Sequence, residues 1–90
     1  MEYGELFKYR IQSLCKERGL TINKLAVLSG IGQSTLDNIM RGVSKNPTMR
    51  TIHKIANTLN MTPAEFLDFS ELNAYSFEDW ETALRKVFWV

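Results

Sequence analysis

Between Gln33 and Asn38 the chain reads "QSTLDN". Gln33, Ser34, Thr35, Asp37 and Asn38 surround one leucine, and four of these five side chains are uncharged hydrogen-bonding groups. A Gln or Asn amide holds a donor beside an acceptor, so it can bond two atoms on the major-groove edge of adenine. Ser and Thr hydroxyls reach bases or phosphates, and threonine adds a methyl that can meet thymine. A carboxylate is repelled by phosphate, so Asp37 is expected to face a base amino group or to turn away. The bland alternative is the wet face of an amphipathic helix. A wet face without Lys or Glu is less common, and that favours a recognition surface.

Other chemistries find little support. Cys15 is the one cysteine and His53 the one histidine. One cysteine forms no intrachain disulfide and no cysteine-based metal site, and it fits a reducing compartment. His53 falls mid-helix without a second His or Cys nearby, so a surface or partly buried histidine is expected and no metal. Cys15 lies on an apolar face and reads as core. There is no Ser/His/Asp arrangement, no pair of carboxylates in an apolar setting and no glycine-rich phosphate loop. Neither an enzyme nor a cofactor is expected.

The net charge of +1 hides an asymmetry. Residues 1–60 carry nine Lys/Arg and four Asp/Glu, whereas residues 61–90 carry two and six. The front is thus +5 and the tail −4. Arg41, Lys45, Arg50 and Lys54 follow one another with no acid between them. A basic front with an acidic tail suits a polyanion on one side only. The start "MEYGELFKYR" has no basic stretch followed by an apolar one, so no signal peptide is expected. No apolar run approaches the ~20 residues that span a bilayer, and the expectation is a cytoplasmic protein.

Helices must position these groups. The 90 residues, 44% of them hydrophobic, fit one domain with a modest core. Phe7, Ile11, Leu14 and Cys15 share one face of a helix over Tyr3–Arg18 that stops at Gly19. Thr21 caps a second helix, Ile22–Ser29, which buries Leu25, Ala26 and either Leu28 or Ser29. Gly30 suits a left-handed C-cap. A third helix, Gln33–Arg41, turns Leu36, Ile39 and Met40 inward and ends at Gly42. "VSKNPT" is a loop, and Thr48 caps a fourth helix, Met49–Leu59, with Ile52, Ile55, Ala56 and Leu59 buried. "TPAE" is a capping box with Pro63 at the first helical position and Glu65 reaching back to Thr62. The short fifth helix it opens ends near Asp68 or Phe69. "SELNA" reads as a linker, and "SFEDWETALRKVFWV" as a sixth helix capped by Ser76 with Glu78 and Asp79 in its first turn. No strand-like alternation appears, so the class is all-α.

The second and third helices are too short to be stable alone, so packing must hold them. Ala26 is small and permits close approach, Gly30 allows the turn, and Leu36 and Ile39 pack back. This spacing is that of a helix-turn-helix, whose second helix stands proud with its N-terminal residues exposed.

Those residues, "ERGLTINKLAVLSGIGQSTLDNIMRG" followed by "NPTMRTIHKIANTLNMTPAEFL", resemble the phage-repressor and Cro-like (xenobiotic-response-element type) helix-turn-helix family. The resemblance covers about residues 5–69. It implies a five-helix lambda-repressor-like DNA-binding domain, here followed by an additional C-terminal helix. It also implies a homodimer on a two-fold symmetric operator. By that similarity Gln33, Ser34 and Asn38 fall at base-contacting positions, and Thr35 joins them on residue type. Arg41, Lys45 and Asn46 fall in the loop that tracks phosphates. Arg50 adds a nearby cation. Where the family often has a phosphate-bonded Gln at the start of its second helix, this chain has Ile22. Asn23, Lys24 or the backbone amides there are the substitutes. A family Arg–Glu pair is replaced by Cys15 and Met40, an apolar swap that can be neutral or stabilising.

The reading divides the chain into a DNA-binding domain, 1–69, and a linker with an aromatic helix, 70–90. In the tail Phe77, Trp80, Leu84, Val87 and Phe88 form one stripe. It either completes the core, makes the dimer interface or docks another protein. The function expected is a sequence-specific double-stranded DNA-binding transcriptional regulator, by resemblance a repressor, working as a homodimer with helix 33–41 in the major groove. The alternative is an antitoxin-like module docking a protein partner through the aromatic tail.

Overall fold

Threonines and glycines set most of the helix boundaries. In the computed structural model, which describes residues 1–44, 46–77 and 80–88, seven helices and no strand occur among the described residues. Trp80 and Phe88 are described by their backbone alone. The helices are α1 (Tyr3–Arg18), α2 (Ile22–Ser29), α3 (Gln33–Met40), α4 (Met49–Thr58), α5 (Pro63–Leu67), α6 (Ser70–Asn73) and α7 (Trp80–Phe88). Thr21, Thr48 and Thr62 each accept a hydrogen bond from a backbone N–H in the first turn that follows, at 3.1, 3.2 and 3.0 Å. Each supplies a partner to one of the donors a helix start leaves open.

The capping box at α5 is complete. Glu65 Oε1 accepts from the Thr62 N–H at 2.9 Å while Thr62 Oγ1 accepts from the Glu65 N–H. The bond from the Thr62 N–H, and to a lesser extent the Thr62 hydroxyl, favour the ionised carboxyl and hold the Glu65 pKa below its ordinary value.

One cluster makes up most of the core, with buried Leu6 and Phe69 outside it. Phe7, Ile11, Leu14 and Cys15 of α1 meet Leu25 and Ala26 of α2, Leu36 and Ile39 of α3, Ile52, Ile55 and Ala56 of α4, and Phe66 of α5. Ile31, from the turn between α2 and α3, and Leu59, at the end of α4, complete it. The inward faces read from the helical spacing are therefore the ones buried. Met40 and Ile22 pack against the same cluster from its edge. Burying side chains of this size contributes roughly 1.5–3 kcal/mol each. The Cys15 thiol is 3% exposed, and burial raises its pKa against the smaller opposing pull of Arg18. Of the two residues left open in α2, Ser29 is half-buried and bonds the Ala26 carbonyl, whereas Leu28 is exposed.

Two boundaries fall one residue short of the sequence reading. Arg41 is the C-cap of α3 and Leu59 that of α4. The tail differs more. "SELN" is not a linker but α6, because Asn73 Nδ2 donates to Asp68 Oδ1 at 2.8 Å and the Asn73 N–H donates to the Phe69 carbonyl at 3.0 Å. Phe69, just ahead of α6, is buried and ties the turn down. α7 begins at Trp80, and the expected first turn at Glu78 and Asp79 lies outside the described residues.

Arg10 has a role that its sequence position does not suggest. Its Nε donates to the Phe66 carbonyl at 2.8 Å and its Nη2 to the Glu65 carbonyl at 2.9 Å. The guanidinium carbon sits 5.0 Å from the Phe69 ring centre and 6.0 Å from that of Phe66. A cation thus satisfies carbonyls at the C-terminal end of α5 and fixes α1 to that end.

Candidate nucleic-acid interface

The angle between α2 and α3 is set by three residues. Gly30 adopts φ 72°, a left-handed conformation in which a side chain would be strained. Ile31 then drops into the core, and Gly32 starts α3 without a side-chain cap. The first N–H groups of α3 therefore have no side-chain cap from Gly32.

Leu36 and Ile39 pin α3 from below, at 0% and 1% exposure. Gln33, Ser34 and Thr35 are exposed as a result, and Asp37 and Asn38 are half-buried at the flanks. Gln33 is already engaged. Its Nε2 donates to Asn23 Oδ1 of α2 and to Asp37 Oδ1, each at 3.0 Å. Residues four apart on a helix are neighbours, and a Gln–Asp pair at that spacing is a known helix contact. The spacing could have revealed the Gln33–Asp37 bond. The contact to Asn23 depends on how α2 and α3 cross.

The end of α3 is tied as well. The Asn38 carbonyl accepts from the N–H groups of Val43 and Ser44, at 2.9 and 3.0 Å. Val43 and Ser44 are therefore held against the end of α3. Asn23, Lys24, Arg41, Asn46 and Arg50 are all exposed. Lys45 lies outside the described residues. Glu2 and Glu5 line the same surface hollow as Arg41, so an anion near that guanidinium also meets carboxylates. This weakens Arg41 relative to Lys24 and Arg50 as an anion contact.

The tail stripe is split. Phe77 precedes α7, and its ring lies 4.9 Å from that of Tyr3 and 5.0 Å from that of Tyr75. Tyr3 also contacts Phe7 and Tyr75, at 5.4 and 5.1 Å, so the segment before α7 docks on the start of α1. Phe77 nevertheless stays 78% exposed, Val87 is 71% exposed and Leu84 is half-buried. The side chains of Trp80 and Phe88 lie outside the described part. No described residue of α7 belongs to the core cluster.

Among the described residues, no three His, Cys, Asp or Glu side chains converge as a metal site would require. Nor is any described helix long and apolar enough to cross a membrane.

Comparison with known proteins agrees with this geometry. Residues 10–71 match the family model described as the Cro/C1-type HTH DNA-binding domain. The HTH-type transcriptional regulator SlrR of Bacillus subtilis is 42% identical over 53 residues, covering 59% of this chain and 35% of SlrR. The chain thus spans about a third of that relative. SinR, a regulator of the same organism, is 28% identical over 79 residues, covering 84% of this chain and 71% of SinR. Among solved structures, prophage Lp1 protein 11 superposes with a TM-score of 0.74 at 36% identity, over 82% of this chain and 97% of the other. A SinR protein/SinI protein complex superposes with a TM-score of 0.64 at 27% identity, over 90% of this chain and 77% of the other. The chain belongs to the Cro/C1-type helix-turn-helix DNA-binding family, to which the all-α scaffold and the proud helix α3 both point.

Proposed function

We propose that this protein is a sequence-specific transcriptional regulator that lays α3 in the major groove and binds double-stranded DNA as a homodimer. One observation carries the reading. Within a Cro/C1-type domain, α3 is held by buried Leu36 and Ile39 while Gln33, Ser34 and Thr35 project from its open N-terminal end. Asn38 stands at the edge of that surface. Lys24, Arg50 and the loop 41–46 are the phosphate contacts, with Asn23 at the start of α2. Base contacts specify and phosphate contacts position. Repression is steric, by occupation of a promoter in the cytoplasm.

Residues 1–69 form the DNA-binding unit on this reading, and residues 70–90 serve the second copy. The exposed Phe77, just ahead of α7, and the exposed Val87, on a helix whose described residues stay out of the core, support an interface there. A second reading assigns the same surface to a protein partner. The similarity to SinR, solved together with SinI, favours it over 90% of the chain.

The test is selection of bound duplexes from a random library near 0.15 M salt. The wild type should enrich an inverted repeat with half-sites about one helical turn apart. Gln33→Ala with Asn38→Ala should lose that preference while circular dichroism shows the fold unchanged. Lys24→Ala with Arg50→Ala should instead weaken all duplexes alike and lower the salt slope by about 0.9 per lost contact. If no sequence emerges from folded wild type, α3 is not a reader. Pull-down with wild type and Trp80→Ala then tests the tail for a protein partner.

A further inference from the structure

We infer that Asp37 is a specificity-determining positioning residue, which turns the Gln33 amide so that α3 offers an acceptor to the base beneath it. The inference rests on the reading of α3 as the recognition helix, and it deepens that reading.

The Gln33 amide nitrogen has two hydrogens, and both are used. One bonds Asp37 Oδ1 and the other Asn23 Oδ1, each at 3.0 Å. The two ends of an amide are nearly isosteric, so contacts alone rarely say which way it points. Here a charge decides. An ionised carboxylate only accepts, so the Gln33 atom that faces Asp37 must be the nitrogen. The same nitrogen then requires Asn23 to present its oxygen. One carboxylate therefore fixes the polarity of two amides, one on each helix of the turn.

Two outward atoms are left. Gln33 keeps Oε1, an acceptor. Asn23 keeps Nδ2, a donor in the first turn of α2, where a phosphate oxygen is the natural partner. The acceptor has a readable consequence. In the major groove the base amino groups are adenine N6 and cytosine N4, whereas guanine and thymine present acceptors at the corresponding positions. A Gln33 held in this way selects A or C on the strand it faces. It does not make the paired donor-and-acceptor contact to adenine, because its donors are spent within the protein. Asp37 thus acts without touching DNA, and it also accounts for a carboxylate on a surface that must approach phosphates.

The decisive comparison uses Asp37→Asn. The side chain keeps its size, but its amide presents a donor as readily as an acceptor, so Gln33 is free to turn over. Wild type, Asp37→Asn and Gln33→Ala are each put through selection from a random duplex library, with circular dichroism melting to show that all three fold. Gln33→Ala identifies the position beneath Gln33 as the one it flattens. There the wild type should prefer A or C over G or T by about fivefold or more, the low end for a single base contact. In Asp37→Asn the preference should fall below about twofold at that position alone. Affinity for all duplexes should rise, since a negative charge is gone. A merely structural Asp37 predicts no change at that position in Asp37→Asn. An unchanged preference there, or a wild-type preference for G, overturns the inference while leaving α3 as the reader. A folded wild type that enriches no sequence overturns both.

Discussion

α3 and α7 have eight and nine residues, and both place apolar side chains on one face, yet they end in different circumstances. α3 buries Leu36 and Ile39 almost completely. α7 contributes no described residue to the core, and its Val87 stays 71% exposed. The difference lies in what precedes each helix. α3 follows a three-residue turn with Gly30 in a left-handed conformation and Ile31 in the core, so its direction is fixed as it starts. α7 follows a segment held at Tyr75 and Phe77 by ring contacts to Tyr3. An amphipathic sequence says that a face wants cover, and the connection decides whether the same chain supplies it.

The sharpest way to break this contrast is to truncate matching leucines. Leu36→Ala should cost about 3 kcal/mol in urea unfolding, as large-to-small changes in a packed core do. In a domain of this size that is a large part of the total stability. Leu84→Ala, at a half-buried site outside the core cluster, should cost under about 1 kcal/mol. Equal losses at low protein concentration would mean that α7 is covered by its own chain.

A second, smaller effect concerns the joint between α1 and the end of α5, which lies between the two regions in the chain. Arg10→Ala removes two hydrogen bonds to α5 carbonyls and the stacking on Phe69, and should cost about 2 kcal/mol. Arg10→Lys should recover only part, because an ammonium lacks the planar fork. Full recovery in Arg10→Lys would show that charge alone secures the joint.

The smallest effect belongs to Glu65. Its pKa is held down by the capping box, so its contribution is present above the ordinary carboxylate range and is lost as pH falls through the depressed folded value. Glu65→Gln, which cannot ionise, should lose the part of the acid-induced destabilisation that is due to this residue. Its melting temperature should fall slightly at neutral pH and converge with wild type in acid.

These elements also show what the sequence makes legible. Caps act within three or four residues, and so Thr21, Thr48, Thr62 and the stop at Gly19 could be read directly. The faces of α1 to α4 follow from helical spacing for the same reason. Arg10 could not be read, because its partners lie 55 and 56 residues away and nothing in its neighbourhood marks it. α6 was obscured because "SELN" is polar and short, and its helix depends on Asp68 and buried Phe69 just before it. In the candidate site, residue types marked Gln33, Ser34, Thr35 and Asn38. Their use as DNA contacts rests on the proposed reading. The polarity proposed for Gln33 depends also on Asn23, which reaches it only through the crossing of α2 and α3 and is marked by no local spacing.

Cys15 gives the molecule a built-in clock. It is the sole thiol of the chain, it belongs to the core cluster, and burial keeps it protonated and out of reach. A thiol in that setting reacts with an alkylating reagent only while the interior is open. The labelling rate under native conditions therefore counts openings of the hydrophobic interior, one molecule at a time, with no engineered probe. If added operator DNA slows that rate, the slowing reports how much occupancy of α3 tightens the helices beneath it.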